Sequence, residues 1–331
     1  MCSSDLPVTT VARLTIDDVR AAAQRLSGRI YRTPVISSAA ADEASDYRVF
    51  FKCENLQIAG SFKIRGALNK LRSLPDADRA RGVVAYSSGN HAQGVALAAR
   101  MVGTSAVICM PTDAPALKVE ATRRYGAEIV FYDRMKDDRA ALAARIASET
   151  GRVLVPPYDD YAIMAGQGTA ALELFGDVPG LDALVTPVGG GGLMAGCATV
   201  AKSLVPSIAV IGVEADTAND TYLSLQKGER VTIPPPPTIA DGIRVTSPGA
   251  LTFPILRERL TGVSLVTDAE IVDAVRLLAL RVRVVVEPTG AVGAAAVLGG
   301  KLPLPRGARV GVVLSGGNID PNFLAQILKP D

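Results

Sequence analysis

Lys63 stands between Phe62 and Ile64 in the stretch GSFKIRGAL (residues 60–68), with Arg65 two positions further on. In an extended chain these two cations point the same way out of an apolar run bracketed by glycines. One reading is a helix start capped by Ser61, with Lys63 in solvent. The other is a reactive amine. That needs company: an anion-binding loop, a second glycine turn and a group that poises a cofactor.

Gly189-Gly190-Gly191-Gly192-Leu193 falls between an apolar run and a helical stretch. Four glycines let the backbone turn tightly and aim several N–H groups at one point, at the positive end of the next helix, which suits phosphate. Read as Gly190-x-Gly192-x-x-Ala195, with Glu214 19 residues later, the segment also satisfies a dinucleotide fingerprint. Ser87-Ser88-Gly89-Asn90-His91 opens another helix after an apolar strand. Its hydroxyls and N–H groups suit a carboxylate such as that of an amino acid, or simply cap the helix. Ser315-Gly316-Gly317-Asn318 closes the last apolar run, where a hydroxyl would meet a ring nitrogen or merely form a turn. Glu214, Asp216, Asn219 and Asp220 gather oxygen atoms after a strand, as a hard cation such as Mg²⁺ or Ca²⁺ requires and as a solvated acidic loop also would.

Positioning these residues calls for a regular scaffold. The apolar runs Val83–Tyr86, Ala106–Met110, Glu128–Tyr132 and Val153–Val155 read as strands buried on both faces. Helices are predicted between them over His91–Met101, Ala114–Tyr125 and Asp137–Thr150, and earlier from a Thr15 cap to Leu26. Strand and helix alternate, which implies a parallel sheet covered by helices. Pro156-Pro157-Tyr158-Asp159-Asp160 breaks the pattern and marks a domain boundary. A second unit follows: helix Ala162–Leu174, strand Ala183–Val188, helix Leu193–Leu204, strand Ile208–Glu214, helices Asp268–Arg281 and Ala291–Leu298, and strand Val310–Leu314.

With 331 residues, 48% of them hydrophobic, the chain can bury a sizeable core. A net charge of +2 without long basic runs gives no sign of nucleic acid or an anionic membrane as partner. No apolar stretch approaches the roughly 20 residues of a membrane span. MCSSDLPVTT lacks the form of a secretory signal and reads as a frayed tail. The four cysteines form no CxxC, so a reducing, cytoplasmic setting is expected. The single histidine, His91, rules out a multi-histidine metal site.

GSFKIRGALNKL, SSGNHAQGVALAAR, GQGTAALEL, PVGGGGLMAG, IADGI, EPTGAVGAAAV and LSGGN occur in this order. The set resembles the fold-type II pyridoxal-phosphate enzymes, specifically the serine/threonine dehydratase, serine racemase and threo-3-hydroxyaspartate dehydratase group, from about Leu14 to Asp320. The dinucleotide reading explains only one of the seven motifs. The resemblance implies an α/β fold of two open, twisted, mostly parallel sheets with helices on both faces, the cofactor lying between the domains. It implies a large cofactor-binding domain (1–75 and 155–331) and a small one (76–154). Lys63 would carry pyridoxal phosphate covalently, with Phe62 covering one side of the ring. Gly189, Gly190, Gly191, Gly192 and Leu193 would hold the phosphate. Asn90 would bond the ring hydroxyl, Gly242 would lie against the ring and Ser315 would meet its nitrogen. Ser87, Ser88, Asn90 and His91 would receive the substrate carboxylate, His91 through its backbone.

The implied activity is a dehydratase (ammonia-lyase) of L-serine, L-threonine or L-threo-3-hydroxyaspartate. Ser88 makes serine racemase the alternative, since it matches the acid/base on the face opposite the lysine in racemases. A β-replacement synthase and a silent pyridoxal-phosphate-binding protein are weaker alternatives. Glu214, Ala218 (through its carbonyl) and Asp220 match the subgroup's divalent-cation site, for Mg²⁺, Ca²⁺ or Mn²⁺. Arg139 matches an arginine that reaches the far end of acidic ligands. A homodimer is expected from the family.

Overall fold

The computed structural model describes residues 14–114 and 116–329. The N-terminal stretch read as a frayed tail lies outside the described residues. Strands β1 (Val35–Ser37), β2 (Arg48–Cys53), β3 (Val83–Tyr86), β4 (Ala106–Pro111) and β5 (Glu128–Tyr132) come first along the chain. Strands β6 (Val153–Leu154), β7 (Ala183–Pro187), β8 (Ala209–Ala215), β9 (Gly262–Val266) and β10 (Arg309–Leu314) follow. They form a six-stranded sheet, β1-β2-β10-β7-β8-β9, and a four-stranded sheet, β5-β4-β3-β6. Every pairing is parallel except β1 with β2.

Continuous burial marks the central strands, as apolar runs covered on both faces require: β4, β7 and nearly all of β8 and β10 are buried. Strand β5 departs from the expectation of two covered faces. It lies at the edge of the small sheet, only Tyr132 is buried, and Phe131 is exposed. Helix boundaries sit close to the sequence expectation where a cap defines them. Thr15 and Asp18 form a reciprocal capping box before Ile16–Leu26. Asp138 accepts from the Ala140 and Ala141 N–H groups, so that helix starts at Arg139 instead of Asp137. The helix after Thr267 ends its α-form at Leu277, earlier than expected, and continues as a π-type turn, Leu278–Val282.

Helix Tyr161–Asp177 is the spine of the larger unit. On one side a Cβ at Gly166 would come within 2.4 Å of the Arg65 carbonyl oxygen, so this helix touches helix Lys63–Ser73 backbone to backbone. On the other, a Cβ at Gly196 would lie 2.2 Å from the Met164 carbonyl, so helix Gly192–Leu204 crosses it as closely. The helix carrying Lys63 and the helix following the tetraglycine turn are thus locked to one support.

Lys63 and Arg65 open a helix, not an extended run, and their side chains part company. Arg65 is fully buried and grips two carboxylates: Nε and Nη2 donate to Glu54 at 2.7 and 2.8 Å, Nη1 and Nη2 to Glu173 at 2.7 and 2.8 Å. Lys52 Nζ, also buried, donates to Glu173 at 2.6 Å. Two cations and two anions balance, and the guanidinium fork meets carboxylates in its preferred bidentate geometry.

Candidate active site

Parallel strands bring their C-terminal ends to one edge, where open α/β sheets accept ligands. From β3 the chain runs into Ser87 and Ser88, from β7 into Gly189–Gly192, and from β10 into Ser315. All of these line one cleft together with Phe62, Lys63, Asn90, His91, Arg139, Leu193 and Gly242. The sequence-derived cofactor and substrate residues are therefore neighbours in space. Glu214, Ala218 and Asp220 do not line it.

Lys63 Nζ sits 5.1 Å from the centroid of the Phe62 ring and donates to the Pro157 carbonyl at 2.8 Å. Burial pushes its pKa down to about 8, against an opposing pull from Glu287. A substantial fraction is the neutral amine near pH 8, the form that attacks and accepts protons. Ser61 is not the N-cap: Phe62 holds that position without a side-chain cap, and the buried Ser61 hydroxyl has no partner among the described residues. The segment is instead sewn to the end of β10. Phe62 N–H donates to the Ser315 carbonyl at 3.1 Å, Gly317 N–H donates to the Gly60 carbonyl at 2.9 Å, and Ser61 bridges Gly316.

Gly191 has φ +92°, which disfavours a side chain, and a Cβ at Gly190 would lie 2.3 Å from the Tyr158 ring. Helix Gly192–Leu204 begins here without a side-chain cap. Its first N–H groups are left for an anion. Helix Asn90–Val102 likewise starts without a side-chain cap, beside Ser87 and Ser88.

His91 is buried, with Nε2 3.0 Å from the Val155 carbonyl. Burial, with Lys63 nearby, pushes its pKa down to about 3, so the ring is neutral at ordinary pH. Gly242 N–H donates to Thr289 Oγ1 at 2.9 Å, and a Cβ at Gly242 would crowd the Thr289 side chain. The Arg139 guanidinium lies 5.7 Å from the centroid of the Tyr86 ring. That stacking is within cation–π range.

Several cleft residues escaped the sequence reading. Lys118 pairs with Asp241, linking the helix Ala116–Arg124 to the short turn Asp241–Ile243. Tyr158 packs over the glycine turn. Glu287, buried, accepts from Asn90 Nδ2 through Oε1 while Oε2 has no partner among the described residues. Burial and the nearby Asp241 push its pKa up to about 8. Its one available signal was the Glu-Pro step of EPTG, since Pro288 occupies the first position of helix Pro288–Leu298.

Away from the cleft, Glu214 ends buried against the N-terminus of helix Asp220–Lys227. It accepts from the Thr221 N–H at 3.0 Å and the Tyr222 N–H at 2.8 Å. Asp220 is also buried, and neither of its carboxylate oxygens has a partner among the described residues. Burial first and Asp220 second hold the Glu214 carboxyl well above the usual range, while burial pushes Asp220 up to about 7. Among the described residues no group of three or more His, Cys, Asp or Glu side chains is placed to hold a metal ion. No helix of the described residues is long and apolar enough to cross a membrane.

Comparison with known proteins bears on what such a cleft holds. Over 312 residues the chain is 49% identical to the L-threo-3-hydroxyaspartate ammonia-lyase of Pseudomonas sp., covering 94% of this chain and 98% of that one. It is 45% identical to the serine racemase of Schizosaccharomyces pombe, covering 95% and 97% of the two chains. The crystal structure of the T.th. threonine deaminase superposes with a TM-score of 0.87 at 44% identity, over 92% of this chain and 99% of that one. Residues 26–316 match the model of the family described as pyridoxal-phosphate dependent enzyme. A buried amine of lowered pKa facing an uncapped glycine turn is what that cofactor's aldehyde and phosphate demand, and the chain belongs to the pyridoxal-phosphate dependent enzymes.

Proposed function

We propose that the chain is a pyridoxal-phosphate-dependent dehydratase, an ammonia-lyase converting L-3-hydroxy amino acids (L-serine, L-threonine or L-threo-3-hydroxyaspartate) to a 2-oxo acid and ammonia. The carrying observation is the Lys63 amine, held on the Pro157 carbonyl with its pKa lowered to about 8 and facing the glycine turn across one cleft. The names of the relatives support the substrate class.

The residues fit the cofactor. The turn Gly189–Leu193 offers free N–H groups to its phosphate where a Cβ at Gly190 would collide, and Glu287 Oε2 is a buried atom awaiting a partner. When bound, the cofactor supplies the electron sink that acidifies the substrate Cα–H. Lys63, as the neutral amine that its lowered pKa makes accessible, would take that proton. Ser87, Ser88, Asn90 and His91 hold the substrate carboxylate at the uncapped helix start. With the cofactor bound, Gly242 would lie against the ring, Phe62 would cover it and the Ser315 hydroxyl would meet its nitrogen. A neutral hydroxyl at that position, unlike a carboxylate, would leave the nitrogen unprotonated and so would favour prompt loss of the β-hydroxyl. Arg139, beside Tyr86, reaches a second carboxylate when the substrate is hydroxyaspartate.

We assign a divalent cation (Mg²⁺, Ca²⁺ or Mn²⁺) to Glu214, Asp220 and the Ala218 carbonyl. The burial of both carboxyls, with the two Asp220 oxygens lacking a partner among the described residues, supports that assignment; water and backbone oxygen would complete the shell. The sheet membership of the strands supports a large domain of residues 1–75 and 155–331 and a small one of 76–154. The family resemblance supports a cytoplasmic homodimer, which sedimentation of the purified holoenzyme checks.

Release of 2-oxo acid from the three substrates, with pyridoxal phosphate and Mg²⁺ present, tests the reading. Activity on at least one, abolished in Lys63→Ala, is the expected result. No turnover of any would overturn it. Racemisation is the second reading, favoured by the hydroxyl of Ser88 in the cleft. Ser88→Ala is expected to suppress racemisation more than elimination.

A further inference from the structure

Asn90 lies in a one-directional chain of hydrogen bonds. The Ala59 carbonyl is a backbone acceptor and cannot turn over, so it fixes the Asn318 amide by accepting from Nδ2 at 2.8 Å. The same Nδ2 donates to Asn90 Oδ1 at 2.8 Å. Asn90 Nδ2 must therefore find an acceptor, and Glu287 Oε1 is that acceptor. Glu287 is itself held by backbone: its N–H donates to the Gly316 carbonyl at 3.1 Å, and a Cβ at Gly316 would lie 2.3 Å from Oε1. An amide nitrogen carries two hydrogens, and Glu287 takes one. With Glu287 replaced by an apolar group, the Asn90 amide is held by the Asn318 bond alone, and breaking that one bond lets it turn its oxygen to the cleft.

We propose that Glu287 is a positioning residue for the cofactor: it fixes the Asn90 amide so that the remaining N–H, not the carbonyl, is presented to the hydroxyl of the pyridoxal ring. This rests on the role given above to Asn90. The carboxylate is 2% exposed, lines the cleft and has an unpartnered Oε2, which marks it as part of a ligand site and not of the packing alone. It acts on the cofactor through Asn90.

The test measures, on holoenzyme and reconstituted variants, the equilibrium affinity for pyridoxal phosphate and the pH midpoint of the visible band of the Lys63-bound cofactor. Glu287→Met keeps the volume and removes the acceptor; it is expected to weaken the cofactor about tenfold and to shift the midpoint in the same direction as Asn90→Ala. Glu287→Gln can still accept from Asn90 and is expected to restore both readouts to within about threefold. In an Asn90→Ala background Glu287→Met should add nothing, since its route is gone. Additive losses would overturn the proposal, as would wild-type affinity and midpoint in Glu287→Met beside a clear loss in Asn90→Ala. If Asn90→Ala itself changes neither readout, the assigned role of Asn90 falls, and the proposal with it. Asn318→Ala loosens the other end of the Asn90 amide. It should mimic Glu287→Met, and it decides the matter if that variant does not fold.

Discussion

Glu54 and Glu214 are both at 0% exposure, and each stands at or near the end of a strand of the six-stranded sheet. Their surroundings differ completely. Around Glu54 the charges close on themselves: Arg65 and Lys52 meet Glu54 and Glu173, and Thr33 Oγ1 adds a bond at 2.6 Å. Around Glu214 they do not close: the charge that acts on it is another carboxyl, Asp220, whose oxygens have no partner among the described residues. A buried charge is tolerated when paired and costs several kcal/mol when it is not. The closed cluster is therefore complete within the chain and serves to place helix Lys63–Ser73. The open pair is not balanced by any cation of the chain, so its carboxyls are held toward the protonated form, and it is the place to which the cation proposed above is assigned.

The sharpest way to break this contrast is to open the closed cluster. Arg65→Met strands Glu54 and Glu173 without a guanidinium, and a loss of about 3–5 kcal/mol is expected in denaturant unfolding of the holoenzyme. A loss below about 1 kcal/mol would mean the cluster is not the anchor of its helix. Next comes closing the open pair. With a divalent cation at about 100 times its Kd, chelation should lower the unfolding free energy by about 2.7 kcal/mol. The Asp220→Asn variant should lose that dependence, and a wild-type melting curve indifferent to chelator would remove the cation from the account.

Acid provides a milder test. Burial would raise the Glu173 pKa, but Arg65 and Lys52 outweigh it and hold the carboxyl below its ordinary value of 4.5. The stability Glu173 contributes is thus fully present above pH about 4.5 and is lost as pH falls through its lower folded value. Unfolding between about pH 5 and pH 3 should steepen in the wild type relative to Glu173→Gln; parallel curves would count against the pairing. Smallest of all is Arg306→Gln, which removes an ion pair with Asp46 whose side chains are 83% and 56% exposed. A change within about 0.5 kcal/mol is expected, and a larger one would show that exposure is a poor guide in this chain.

The scaffold was legible wherever apolar runs alternate with glycine stops: β3 and β5 lie where the sequence put them, and β4, β7 and β10 within a residue or two. Strands β1, β2 and β9 were not read, nor was the helix Pro321–Leu328. Val35–Ser37 and Gly262–Val266 are short and largely half-buried, so no continuous apolar signal marks them. Glycine motifs announced the cleft because backbone geometry restricts which residue can stand there. Lys118, Tyr158 and Glu287 carry no such local constraint. Their roles arise from pairings across long separations, such as Lys118 with Asp241 and Asn90 with Glu287, which no spacing within one segment encodes.

The spine helix Tyr161–Asp177 has a consequence for how such an enzyme can change over time. Where Gly166 meets Arg65 and Gly196 meets Met164, the contact is main chain against main chain, and even one added methyl group has nowhere to go. The lysine and the glycine turn are thereby inherited as a single rigid jig. Change in what the cleft accepts is left to residues held by side chains alone, such as Arg139 over the Tyr86 ring, which can be exchanged one at a time.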